Sequence, residues 1–131
     1  MRKDYTGAHV QELPFVRRAH GKRTQSFWSP PQAATYGDAC RVGNLLGAHF
    51  ARFLQDNPGV VGSNLLGCIA ADIDFTKADE KGCWVGFFAY LEGLIQLGAN
   101  QVDVFARADR IQARYDTAIA AGADESEDGD E

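Results

Sequence analysis

The sequence predicts an all-α fold, a compact bundle of about four helices with disordered charged termini, on three observations. Apolar residues recur at three- and four-residue spacing through the middle of the chain, the period of a helix with one buried face. Breakers fall between these stretches, at Asn57-Pro58-Gly59, Gly98 and Gly122. The charge lies at the ends. Residues 1–27 carry Arg2, Lys3, Arg17, Arg18, Lys22 and Arg23 against Asp4 and Glu12, whereas GADESEDGDE at 122–131 carries six acids and no base. The organisation expected is a basic flexible arm at 1–26, a helical domain at 27–121 and an acidic disordered tail at 122–131.

The arm mixes Gly7, Pro14 and Gly21 with charge and keeps no period beyond a short extended piece at Leu13–Val16. Phe27 and Trp28 follow as aromatic anchors onto the body, and Pro30-Pro31 forbids a helix through them. A first helix is predicted from about Tyr36 to Asp56, with Cys40, Gly43, Leu46, Gly47, Phe50 and Leu54 along one face. Ala39, Gly43, Gly47 and Ala51 make a small-residue stripe on it. Glycine within a helix costs about 1 kcal/mol relative to alanine, so such a stripe fits a second helix packed at close range.

A short second helix is predicted near Ser63–Ile73, capped by Ser63 or Asn64 and nearly all apolar, so largely buried. A third runs from about Asp79 to Leu97, its acidic start suited to a helix N-terminus, and carries Cys83, Trp84, Phe87, Phe88, Leu91, Leu94 and Ile95. A fourth opens at an Asn100 cap and ends near Ala121. Val102, Phe105, Ala108, Gln112, Tyr115 and Ile119 mark its inner face, and Arg107, Arg110 and Arg114 mark another.

No complete catalytic set is present. Asp72-Ile73-Asp74-Phe75-Thr76, after the apolar Leu65–Ala71, resembles the first motif of haloacid-dehalogenase-type phosphatases. That resemblance implies Asp72 as nucleophile, Asp74 as general acid/base and a magnesium ion on the phosphate. It covers about a dozen residues, and the helical remainder offers none of the parallel sheet such enzymes need. Both aspartates are therefore expected as solvated residues at a helix C-terminal edge. The acids from Asp72 to Glu80 do not make a calcium loop either, because Lys77 and Cys83 occupy its sixth and twelfth positions. His9, His20 and His49 and the odd, spread Cys40, Cys68 and Cys83 match no metal or disulfide spacing. No cofactor and no metal is expected.

Two features can carry recognition. The basic residues Arg17, Arg18, Lys22 and Arg23 of the arm and the stripe Arg107, Arg110, Arg114 are candidate partner-binding groups, for phosphates or for a partner's carboxylates. Along the stripe, pairing of Asp103 with Arg107 at i,i+4 is the commoner reason for such a pattern. Trp84, Phe87 and Phe88 with Gly43 and Gly47 either fill the core or form a dimer or docking patch.

The net charge of −5 and the missing membrane-length apolar run point to a soluble cytoplasmic chain. In profile alone it resembles small accessory proteins of phages and conjugative elements, anti-CRISPR inhibitors among them. The function expected is non-enzymatic: a homodimer that binds a larger protein or ribonucleoprotein complex, such as a CRISPR–Cas effector. The alternatives are a nucleic-acid-associated regulator using the arm and the arginine stripe, and a magnesium-dependent phosphatase using Asp72 and Asp74.

Overall fold

The computed structural model describes residues 9–19, 21, 22, 24–60 and 62–129, the last seven by their backbone alone. Four helices form: α1 (Tyr36–Asp56), α2 (Leu65–Asp72), α3 (Lys81–Ala99) and α4 (Val104–Gly129). Among the described residues there is no strand, only an isolated antiparallel bridge between Arg17 and Ser26. The all-α prediction holds. The chain divides into two compact units, Met1–Gly93 and Leu94–Glu131, rather than into the single helical domain expected.

α1 has the predicted bounds, and the structure adds the caps. The Thr35 hydroxyl accepts from the backbone N–H of Asp38 at 3.0 Å, and the Asn57 side chain donates to the carbonyl of Phe53 at 2.9 Å. Both bonds satisfy backbone groups that a helix end leaves open. α2 starts two residues later than predicted. Asn64 takes the left-handed conformation (φ 66°), and its side chain makes no capping bond. A 3-10 turn at Ala78–Glu80 leads into α3 and absorbs the predicted acidic start.

α4 starts later than predicted too. Its N-cap is not Asn100: the Asp103 carboxylate accepts from Ala106 N–H at 3.0 Å and sets the start at Val104. The helix continues to Gly129, past the expected stop at Gly122. The side chains of 123–131, which hold the acids of the predicted tail, lie outside the described residues.

In the first unit, α1 and α3 pack backbone to backbone. A Cβ on Gly43 would overlap the carbonyl oxygen of Cys83, and one on Gly86 would overlap that of Cys40. A Cβ on Gly82 would lie 2.8 Å from the Tyr36 carbonyl oxygen, and one on Gly47 would lie 2.8 Å from Cβ of Tyr90. Residue numbers rise together on both sides of these contacts, so the two helices run parallel. The stripe Ala39, Gly43, Gly47 is met by Gly82 and Gly86 at the same four-residue spacing. Each glycine removes the side chain that would hold the helices apart.

Above this crossing sits an aromatic core with Phe87 at its centre, fully buried. Its ring lies 5.5 Å from Phe15, 5.2 Å from Trp28, 5.9 Å from Phe50 and 5.3 Å from Phe88, tilted or edge-on in each pair. Such arrangements match the ring quadrupoles. Leu13, Leu46, Phe53, Ile69 and Ile73 complete the core.

The flexible-arm expectation is corrected for the described residues of 9–26. Leu13 and Phe15 are buried at 2% and 0% exposure. Arg17 and Ser26 exchange backbone hydrogen bonds at 2.8 and 2.9 Å, and Ser29 N–H donates to the Phe15 carbonyl at 2.6 Å. The segment is a strap of turns: a 3-10 turn at Val10–Glu12 is followed by one in which Val16 N–H donates to the Leu13 carbonyl at 3.1 Å, where an extended piece was expected, and its two apolar side chains close one side of the core. Pro14 stands between them and excludes the helical pattern a sequence reading looks for.

Candidate functional site

The strap is anchored to α2 by Asp72, whose Oδ2 accepts from the backbone N–H of Phe27 at 2.7 Å. Asp74 accepts from the Thr76 backbone N–H at 3.0 Å and from the Thr76 hydroxyl at 2.5 Å. The Thr76 hydroxyl, then its N–H, hold the Asp74 carboxyl below the usual aspartate range. The two acids of the phosphatase-like string thus each bond the backbone, one fixing the strap and the other a turn. Among the described residues, no group of three or more His, Cys, Asp or Glu is placed to hold a metal ion. Burial, then the neighbouring Glu80 and Cys40, push the Cys83 thiol up, away from the thiolate form a nucleophile needs.

The proposed dimer or docking patch is not a surface of this unit. Trp84, Phe87, Gly43 and Gly47 are buried and Phe88 is half-buried, all within the α1–α3 crossing and the core above it. Of the two readings open from sequence, these residues take the core one. The arm's basic residues also separate. Arg17 is turned inward, its guanidinium donating to the Thr24 carbonyl at 3.1 Å and to Ser29 Oγ at 3.4 Å. Arg18 and Lys22 are exposed, and Arg23 lies outside the described residues.

The second unit is different in kind. Arg107, Arg110 and Arg114 are exposed along α4 as predicted, but the helical pairing expected for them does not form. Asp103, the only acid three or four residues from any of the three, caps the helix at Ala106 instead. The residues read as the inner face of α4 are also exposed: Phe105 by 79%, Ile119 by 65% and Tyr115 by 61%, with Val104 beside them at 48%.

Among the described residues, eight large exposed hydrophobics fall in the 38-residue second unit (Leu94, Ile95, Leu97, Val102, Val104, Phe105, Tyr115, Ile119). The 93-residue first unit has four, Tyr36, Leu66, Phe75 and Val85. Scattered single apolar groups are ordinary on a protein surface, whereas a stripe along one helix marks an interaction site. The sequence signals this stripe as an amphipathic period, and the structure places that face outside rather than inside. Two shallow concave surfaces on α4 lie on this stripe or its arginine edge. One is lined by Ile111, Arg114, Tyr115 and Ala118, the other by Ala113, Arg114, Thr117, Ala118 and Ala121.

No helix among the described residues is long and apolar enough to cross a membrane. The chain matches no family model, no curated protein and no solved structure.

Proposed function

We propose that this chain acts by binding protein, as a non-enzymatic inhibitor or accessory protein of a larger protein or nucleoprotein complex, with α4 as its recognition element. The exposed apolar stripe of α4, edged by Arg107 and Arg114, carries this reading. An amphipathic helix with an open apolar face docks into an apolar groove or beside another such helix. The arginine row alone would also suit phosphates. Phosphates, however, cannot cover Phe105, Tyr115 and Ile119, and those side chains favour a polypeptide. The profile shared with anti-CRISPR inhibitors makes a crRNA-guided effector one target to include.

The test is affinity capture with tagged wild-type chain and with Ile111→Asp, from cells that also contain an untagged copy and a candidate effector. A retained polypeptide that is lost with Ile111→Asp is the result expected. Equal retention by both, or none by either, overturns the reading.

A further inference from the structure

We propose that the partner of the α4 stripe is a second copy of this chain, with the two α4 helices side by side and parallel. This rests on the protein-docking reading and names its occupant. Val104, Ile111 and Ala118 recur every seven residues, and Ala108 and Tyr115 fall between them at alternating steps of four and three. That alternation keeps a seam on one side of a helix against another helix. Phe105, Gln112 and Ile119 widen the seam along one edge.

The charges that border the seam identify its occupant. A helix turns about 100° per residue, so Arg107 and Arg114 lie along one side of the stripe and Asp109 and Asp116 along the other. Both pairs are seven residues apart, and each aspartate stands two residues after an arginine, about 3 Å along the axis. Within α4 these charges have no one to meet. Neither Asp109 nor Asp116 has an Arg or Lys three or four residues away, and Asp103 is engaged at the cap. Among the described residues none of the four is in an ion pair or a side-chain hydrogen bond.

Two parallel copies related by a twofold axis along the seam place the basic edge of each beside the acidic edge of the other. Two antiparallel copies place arginine beside arginine and aspartate beside aspartate. The segregation of charge across one apolar stripe therefore complements itself in a single orientation.

The experiment uses the purified full-length chain, with mass measured by light scattering or sedimentation over a range of concentration. A dimer of the 14.3 kDa chain is expected at high micromolar concentration, and Ile111→Asp weakens association about tenfold or more while near-ultraviolet signals of Trp28 and Trp84 stay unchanged. The double change Arg107→Glu, Arg114→Glu weakens it as well, and adding Asp109→Lys with Asp116→Lys restores it. Orientation is read by oxidation of Ala108→Cys and of Ala118→Cys, each against wild type as control for the native cysteines. Both form a covalent dimer when the helices are parallel.

A monomer throughout overturns the second-copy proposal, and it leaves the docking reading standing if that monomer still captures another polypeptide through α4. A monomer that instead shifts RNA in a salt-dependent manner overturns both. A dimer in which neither cysteine variant cross-links overturns the parallel arrangement.

Discussion

Replacing Gly43 by alanine tests the physical basis of the first unit. Helix propensity alone makes that change stabilising by about 1 kcal/mol. The α1–α3 crossing reverses the sign. The new Cβ would overlap the carbonyl oxygen of Cys83 and lie 2.9 Å from the Cys83 carbonyl carbon and the Phe87 nitrogen. All three are backbone atoms of a helix and cannot rotate away, so the helices must part. Overpacking of this kind costs about 1–3 kcal/mol, and two facing backbones place it at the upper end. The net loss is about 2 kcal/mol, which for a unit of this size lowers Tm by about 8–16 °C. Gly86→Ala meets the Cys40 carbonyl from the other helix and should cost the same. The double variant should lose less than the sum, because helices parted by one methyl have made room for the second. Gly93→Ala is the control: nothing lies within 4 Å of its Cβ, so propensity acts alone and the variant gains up to about 1 kcal/mol. Thermal and urea unfolding followed by circular dichroism give all four values. A Gly43→Ala protein that melts at or above wild type would refute the close crossing.

Three further outcomes follow from contacts in the same unit. Phe15→Ala should cost about 3–5 kcal/mol, and removal of residues 1–26 should unfold the unit; a truncated chain that keeps the wild-type melting temperature would show that the strap is dispensable. Thr76→Val should raise the Asp74 pKa toward the ordinary aspartate value, seen by NMR titration of its carboxyl carbon. With a depressed folded pKa, any stability from Asp74 is present above the ordinary value and lost as pH falls through the depressed one, so an unchanged midpoint would refute the Thr76 bonds as its cause. At neutral pH Cys83 should be modified by a thiol reagent more slowly than the half-buried Cys40 and Cys68, and labelling of Cys83 first would contradict its burial.

The sequence made the bounds of α1 legible, because its apolar period starts at Tyr36 and Asn57-Pro58 supplies a local stop that needs no tertiary partner. The glycine stripe was legible too, since a run of helical glycines at four-residue spacing has few uses except close approach. What it packs against was not, because Gly82 and Gly86 look like gaps until α3 is laid beside α1. The strap escaped for a different reason. Leu13 and Phe15 are buried from a single turn built around a proline, and two residues are too few to show a period. On α4 the period was plain and its environment was not. A 3.6-residue pattern reports that one face is apolar, and it carries no information on whether the covering surface belongs to the same chain.

That last distinction explains why an expectation of self-association can keep its reason and change its place. The argument from sequence was that the chain holds more apolar bulk than one small core requires. In the first unit the bulk is consumed: the glycines bring α1 and α3 together, and Trp84 and Phe87 fill the space above them with Phe15 from the strap and Trp28 just after it. The surplus is on α4, where Phe105, Tyr115 and Ile119 face solvent and the charges beside them lack helical partners. A helix gains most of its stability in a protein from packing its apolar face, and propensity adds comparatively little. Covering this stripe would therefore stabilise α4 as well as bind its partner, which couples the order of the helix to its occupancy. The Ile111→Asp chain should then show less helix by circular dichroism than wild type at high concentration, with the difference shrinking on dilution as wild type also loses its partner. Helical content that is independent of both concentration and this substitution would show that α4 is held by its own backbone and needs no partner.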